Sequence, residues 1–472
     1  VTILQEMQIE HPAAKMIVEV AKTQEEEVGD GTTSAVILAG ELLKNAEKLL
    51  EQEVHPTIIT KVYRLAAEES IKILNQIAQK GHTDDVLRRV AVTAMTGKGA
   101  ERSKELLADL AAKAVRQVSD EEGLDIDHIK LEKKIGGGVE DTELIQGIVI
   151  DKERVHGGMP KTVQQAKIAL LDSALEIKNT ETEAKIQITS PDQIGAFLDQ
   201  EQKILKAMAD KVLASGANVV ICQKGIDDLA QHYLSKQGVY ACRRVAKSDM
   251  EKIARATGAR IVTSLSDLSK EDLGHAGLVK EVKVGDEQMT YITECKNPKA
   301  VTILVRGGTQ HVVAEVERAL KDAIGDIAAV VRSGLAVGGA GAPEMEVSRH
   351  LRAYATKLSG REQLAVHAFA DSIEVIPRTL AENAGLDPID VLTELKAAHD
   401  KGQTFAGIDV FTGKVMDSWQ AGVIEPLKIK TQAIKSASEV AELILRIDDV
   451  IAGSSAKGNP QMPPGMGGGM EY

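Results

Sequence analysis

The chain of 472 residues is longer than one hydrophobic core sustains, so roughly two to four domains are expected. Hydrophobic residues at 43% and charged residues at 27% are ordinary for a globular protein, but aromatics make up only 2%, which leaves the cores to Ala, Val, Ile and Leu and suits a largely helical build. A net charge of -13 repels phosphate backbones and the scarce rings offer bases little to stack on, so nucleic acid is not an expected partner. No apolar run reaches the roughly 18 residues of a membrane helix, so no membrane is expected either, and no signal peptide is read.

From Glu10 to about Gln79 the pattern is helical. Pro12 suits a first helical position, a second helix follows Gly29-Asp30-Gly31-Thr32-Thr33, and a third runs from Thr57 after the break at His55-Pro56. Asp84 to Val118 is again helical, interrupted by Thr96-Gly97-Lys98-Gly99. Strand character begins near Ile129, stops at Gly136-Gly137-Gly138 and returns over Gly147–Ile150 and Lys167–Ile177. Ser190-Pro191-Asp192-Gln193 combines a capping serine, a proline at the first helical position and a glutamine three residues after the cap. Strand 218–222, helix 227–236, strand 239–243, helix 248–257 and strand 260–262 then form a βαβαβ rhythm, which predicts a parallel sheet. After a strand over 300–305, helices are predicted over 311–331, 343–358, 362–380 and 388–398. The Gly-, Pro- and Met-rich residues 458–472 read as a flexible tail. An α/β unit of about 153–303 is thus inserted into a helical one.

Several features bear on chemistry. Gly29, Asp30, Gly31, Thr32, Thr33 and Ser34 form a glycine-bearing loop that enters a helix, which is either a phosphate site with Asp30 placed for Mg²⁺ or simply a helix start. No GxxxxGK[ST] loop exists. Gly338-Gly339-Ala340-Gly341 lets backbone approach a ligand or acts as a joint. Asp322 is either a water-orienting base or one more solvated acid on an amphipathic helix. Ile194, Phe197, Leu198, Ile204, Leu205 and Met208 form an apolar stripe, which reads as core or, if exposed, as a docking surface for apolar segments. Cys222, Cys242 and Cys295 have no metal-binding spacing and read as buried thiols in a reducing compartment.

Together the stretches Glu10–Met16, Val28–Thr33, Ala94–Glu101 and Ile376–Asp387, with the Gly-Met tail from Gly465 to Met470, closely resemble the group II chaperonins, the archaeal thermosome subunits and their eukaryotic cytosolic relatives. The resemblance covers nearly the whole chain. It implies a multidomain α/β chaperonin fold. A mainly α-helical equatorial ATP-binding domain would comprise 1–81 and 340–472, a small α+β intermediate domain 82–152 and 304–339, and an α/β apical domain with a helical protrusion 153–303. It implies a cytoplasmic ATPase that encloses unfolded polypeptides in two stacked rings of itself or paralogous subunits, eight or nine to a ring, with ATP and Mg²⁺ as cofactors. A passive ring that holds clients without turnover and a small-molecule phosphotransferase are the rival readings.

Carried over by motif, Asp30 would coordinate Mg²⁺, Gly29, Gly31, Thr32, Thr33 and Ser34 would hold phosphates, and Asp322 would activate water together with Asp30. Lys98 would meet the γ-phosphate, and Gly339, Gly341, Asp409 and Glu425 would border the nucleotide. The resemblance also implies about sixty family residues ahead of Val1, with a Leu-Gly-Pro-Lys-Gly phosphate loop and an Asn-Asp-Gly whose aspartate assists Mg²⁺. Ala340 stands at the middle of three family glycines, where a methyl group either crowds the nucleotide or is accommodated.

Overall fold

A computed structural model describes residues 7, 9–99, 101–119, 123–177, 191–296, 298–358 and 360–448. The expected tail at 458–472, the capping Ser190 and the side chain of Ile194 lie outside the described residues.

Small side chains let helices approach closely, and the first core is built that way. The helices Thr32–Glu51, Pro56–Ile77, Ala342–Ala355, Arg361–Ile373 and Leu427–Ile444 bury Ala, Leu, Ile and Val, with Tyr63 and Phe369 as the bulky centre. Those two rings meet edge to face at 5.4 Å, and the Tyr63 hydroxyl donates to the Leu42 carbonyl, so its polar end is not orphaned. The C-terminal helix Leu427–Ile444, for which the sequence gives no clear start signal, is an integral wall of this bundle. The helix expected over 362–380 is two, Arg361–Ile373 and Val375–Asn383, turning at Glu374.

A second core joins the helices Asp84–Met95, Lys104–Val118 and Gln310–Ser333 to a three-stranded sheet, in which Val301–Gly307 pairs parallel with Ile129–Ile135 and antiparallel with Glu143–Ile145. The chain passes between the first and second cores at another small sheet. Gln79–Lys80 pairs with Leu335–Gly338, which pairs in turn with Ile424–Pro426. Gly81 belongs to this joint, because a β-carbon there would meet Val330 Cγ1 at 2.4 Å.

The third unit is a seven-stranded sheet with a core on each face. The expected parallel rhythm accounts for half of it: Val219–Cys222 lies parallel to Thr162–Leu171 and Tyr240–Cys242, and Ile261–Val262 is parallel to Thr162–Leu171. The other half is antiparallel. The hairpin Gly274–Val284 and Glu287–Thr293 joins Thr162–Leu171 to Gly147–Ile150, making the sheet mixed. Gly147–Ile150, expected before the boundary at 153, therefore belongs to this sheet and packs Ile148 and Ile150 into its core. The helix Lys247–Thr257 covers one face, and Pro191–Ala214 with Asp228–Lys236 covers the other. Among the described residues no helix is long and apolar enough to cross a membrane.

Candidate functional site

Where the first and second cores meet, a loop lies directly on the Gln310–Ser333 helix. Gly325 permits this, because a β-carbon there would sit 3.0 Å from the Val28 carbonyl oxygen. Val28, Ala329 and Ile429 pack together beneath the contact. The loop then turns through Gly29 and Gly31 in the left-handed region (φ 95° and 79°), conformations that strain other residues. A side chain at Gly31 would also meet Ile429 Cγ2 at 2.7 Å.

Gly31 caps the Thr32–Glu51 helix without a side-chain hydrogen bond, and the first turn carries no acidic residue. The amide hydrogens and positive dipole end of this helix are thus free for an outside anion. Asp30 accepts from the Gly31 N–H at 2.7 Å, and buried Gln24 fixes the loop by donating to the Asp30 and Ile429 carbonyls.

Across from the loop stand Asp322 and, one turn later, Asp326. Lys98 arrives from a third segment, the turn after Asp84–Met95, where Gly99 can pass Glu315 only for want of a β-carbon (2.6 Å to Glu315 Cγ). The Lys98 ammonium lies 2.5 Å from Asp322 and 3.6 Å from Asp30. Burial pulls its pKa down, but Asp30 and then Asp322 outweigh burial and hold it charged. Burial raises the Asp322 carboxyl despite the lysine. Asp326 is 2% exposed and is pushed well above the carboxylate range, first by burial and then by Asp30 and Glu425. Motif and spacing did not single out Asp326, which looks in the sequence like any acid on an amphipathic helix.

The fourth wall comes from the joint. Glu425 shares Lys430 with Glu344, which lies 2.9 Å from the lysine. Burial raises Glu425, with Lys430 opposing. A β-carbon on Gly339 would come 3.0 Å from Glu425 Oε1, so the glycine bend and this acid are neighbours. Gly341 is left-handed (φ 80°) and starts the Ala342–Ala355 helix against Pro377. Ala340 is itself left-handed (φ 59°), and its methyl lies over Gly407, where an added β-carbon would be only 2.9 Å away. The expected crowding by this methyl is therefore directed at Gly407. Asp409 is farther out. It closes the turn between Ala406–Asp409 and Lys414–Asp417, accepting from Thr412 Oγ1 and the Phe411 N–H, which hold its pKa down.

Buried side-chain oxygens around this junction, among them Gln24 Oε1, Asp326 Oδ1 and Glu344 Oε2, have no hydrogen-bond partner. Orphaned buried acceptors near an uncapped helix N-terminus fit a site for a cation together with a phosphate. Among the described residues no three His, Cys, Asp or Glu side chains are arranged to hold a metal unaided. A divalent ion there would have to complete its shell from phosphate oxygens and water.

The apolar stripe does not stay together. Leu205 is buried at 2% and Met208 packs partly against the same core, so Leu205 in particular is closed to any docking partner. Phe197, Leu198 and Ile204 are exposed on the Pro191–Ala214 helix at 44%, 53% and 40%. A helical turn that serves the core cannot also present all of its apolar residues outward.

A model of the TCP-1/cpn60 chaperonin family matches residues 1–455. A thermosome subunit of Methanopyrus kandleri is 62% identical over 458 residues, spanning 96% of this chain and 84% of its own. Thermosome subunit beta of Archaeoglobus fulgidus is 61% identical over 478 residues, spanning 98% of this chain and 88% of its own. The open-state monomer of a group II chaperonin from Methanococcoides burtonii superposes with a TM-score of 0.67 at 49% identity, covering 89% of this chain and 100% of that one.

Proposed function

The chain belongs to the TCP-1/cpn60 chaperonin family, and from that premise we propose how its site works. It is an ATP-dependent chaperone that hydrolyses ATP and assists protein folding as part of a ring complex of subunits. The finer reading assigns 1–81 and 340–472 to an equatorial nucleotide domain, 82–152 and 304–339 to an intermediate domain and 153–303 to an apical domain that meets unfolded clients, with the strand Gly147–Ile150 moved from the intermediate to the apical unit. Subunits stand eight or nine to a ring in two stacked rings, in the cytoplasm. Client contact falls to the exposed Phe197, Leu198 and Ile204.

In this reading the amides of Gly31 to Ser34 and the hydroxyls of Thr32, Thr33 and Ser34 hold phosphate oxygens. Gly29, Gly339, Gly341, Asp409 and Glu425 border the nucleotide. Asp30 holds Mg²⁺, which when bound neutralises phosphate charge. One observation carries the hydrolytic step: a single ammonium spans Asp322 and Asp30 from a third chain segment. With no phosphate present Lys98 occupies Asp322. A terminal phosphate offers Lys98 a stronger anion and draws it away, which frees the Asp322 carboxylate to orient a water and accept its proton. Lys98 thereby senses the phosphate and licenses the base, and its segment moves with it.

The test is Asp322→Ala. Phosphate release should fall about 10²- to 10⁴-fold, the usual worth of a general base, while ATP binding persists. Turnover equal to the unaltered chain would sink the mechanism. Light scattering of the purified protein with and without Mg-ATP addresses assembly, since a monomer that turns over ATP would favour the phosphotransferase reading.

A further inference from the structure

Asp326 has no role in the hydrolytic step above, and its surroundings call for one. It lies one turn after Asp322 on the Gln310–Ser333 helix, so both carboxylates share a face. Its neighbour Gly325 is the residue on which the Val28–Gly29 loop rests, so Asp326 stands at the point where the phosphate loop touches the helix. The charged groups around it come from every element of the site: Asp30 from the loop, Lys98 from the intermediate turn, Asp322 from its own helix and Glu425 from the joint.

Lys98 is nevertheless committed to Asp322 and Asp30, and Lys430 to Glu344 and Glu425. Asp326 makes no ion pair among the described residues, and its Oδ1 has no hydrogen-bond partner although the residue is 2% exposed. A buried carboxyl without a partner either keeps its proton or takes up a cation, because an uncompensated buried charge is strongly unfavourable. A side chain so placed is expected to have a cation as its missing partner.

We propose that Asp326 is a second carboxylate for the divalent cation, working with Asp30 across the loop–helix contact. The inference rests on the nucleotide site described above. Two carboxylates, from the loop and from the helix, with the remaining positions left to phosphate oxygens and water, make an arrangement suited to Mg²⁺. Asp326 would also give the Gln310–Ser333 helix a direct stake in the bound ion, alongside the link through Lys98.

The experiment uses the assembled full-length chain and the variants Asp326→Asn and Asp326→Val. Mn²⁺ binding is read by electron paramagnetic resonance with the nonhydrolysable analogue AMP-PNP, and melting temperature is read with and without the metal and analogue. If the proposal holds, both variants weaken Mn²⁺ by about ten- to a hundred-fold, the usual penalty for disturbing a metal's ligand environment. Their metal-free melting temperature stays level or rises, because a buried carboxyl without a partner has gone, and the gain on adding metal and analogue shrinks. Unchanged Mn²⁺ affinity in Asp326→Asn overturns the proposal. If the unaltered chain shows no metal-dependent analogue binding, or Asp30→Ala leaves it intact, the nucleotide reading itself falls instead.

Discussion

Two glycine bends start two helices with nearly the same backbone. Gly31 opens Thr32–Glu51 at φ 79°, ψ 12°, and Gly341 opens Ala342–Ala355 at φ 80°, ψ 0°, neither with a side-chain cap. Each glycine is pressed where a β-carbon would collide, with Ile429 and with Pro377 respectively, at 2.7 Å. What differs is charge. The second helix carries Glu344 in its first turn, tied to Lys430, so its positive end already has an internal anion. The first helix has no acid in its first turn, only Asp30 ahead of it at the Gly31 N–H. The same turn therefore yields one junction completed within the protein and one that an outside anion must complete.

The largest effect should come from removing the turn itself. Gly31→Ala and Gly341→Ala each add left-handed strain of about 1–2 kcal/mol and an overpacking cost of about 1–3 kcal/mol. Both should lower stability by several kcal/mol in chemical denaturation. Gly31→Ala should lose most of the stabilisation that Mg-ATP brings, and Gly341→Ala, which borders the nucleotide without holding its phosphates, a smaller part of it. If the two variants lose it equally, the junctions are not functionally distinct.

Acid should act on the second junction. Glu346, just inside the Ala342–Ala355 helix, is buried against His399 Nδ1 at 2.6 Å and Arg349 at 2.5 Å, while His399 Nε2 faces the Ala406 carbonyl at 2.8 Å. Burial opposes ionisation of Glu346, but His399 and Arg349 outweigh it and bring the pKa to about 2. A carboxylate with a depressed folded pKa stabilises above its unfolded value near 4.5 and loses that contribution as pH falls toward 2. The shift corresponds to at most about 3.4 kcal/mol. Denaturation of Glu346→Gln against the unaltered chain should show a gap at pH 6 that narrows below about pH 4 and has largely closed by about pH 2, and a gap independent of pH would refute this account.

A charge can make the first junction resemble the second. Thr33 is exposed in the first turn of Thr32–Glu51. Thr33→Glu should raise helix stability by about 0.3–1 kcal/mol through the dipole. By the same charge it should weaken ATP binding roughly tenfold or more, because like charges a few ångströms apart repel by over a kcal/mol. Calorimetric titration and melting would be read together. Higher stability with undiminished ATP affinity would mean that phosphate binds elsewhere.

These junctions also divide what the sequence reveals from what it conceals. Helices with 3.6-residue apolar spacing were readable, as were the glycine breaks at 29–31, 97–99 and 339–341, because each signal is local. The ligand-facing role of Lys98 and Asp322 came through resemblance, and spacing alone left both as ordinary surface charges. The Gly274–Thr293 hairpin was missed, since its sheet partner lies more than a hundred residues upstream. The start of Thr162–Leu171 was hidden because Gln165 takes a left-handed φ of 48° and breaks the pairing there. Asp326 was missed for another reason: its burial depends on Gly325 admitting a loop from three hundred residues away, which no window of sequence contains.

The smallest effect concerns Ala340, the one departure from three glycines in the second bend. Its left-handed backbone costs about 1–2 kcal/mol, which Ala340→Gly would relieve. The glycine gives back about 0.4–1 kcal/mol through the freer unfolded chain. A net gain between zero and about 1.6 kcal/mol is expected, visible as a slight rise in melting temperature. ATP affinity should not change, because the methyl faces Gly407 and its carbonyl is held by the Ile408 N–H at 2.9 Å. If affinity instead tightens severalfold, the methyl intrudes on the nucleotide, and the second junction is as open to ligand as the first.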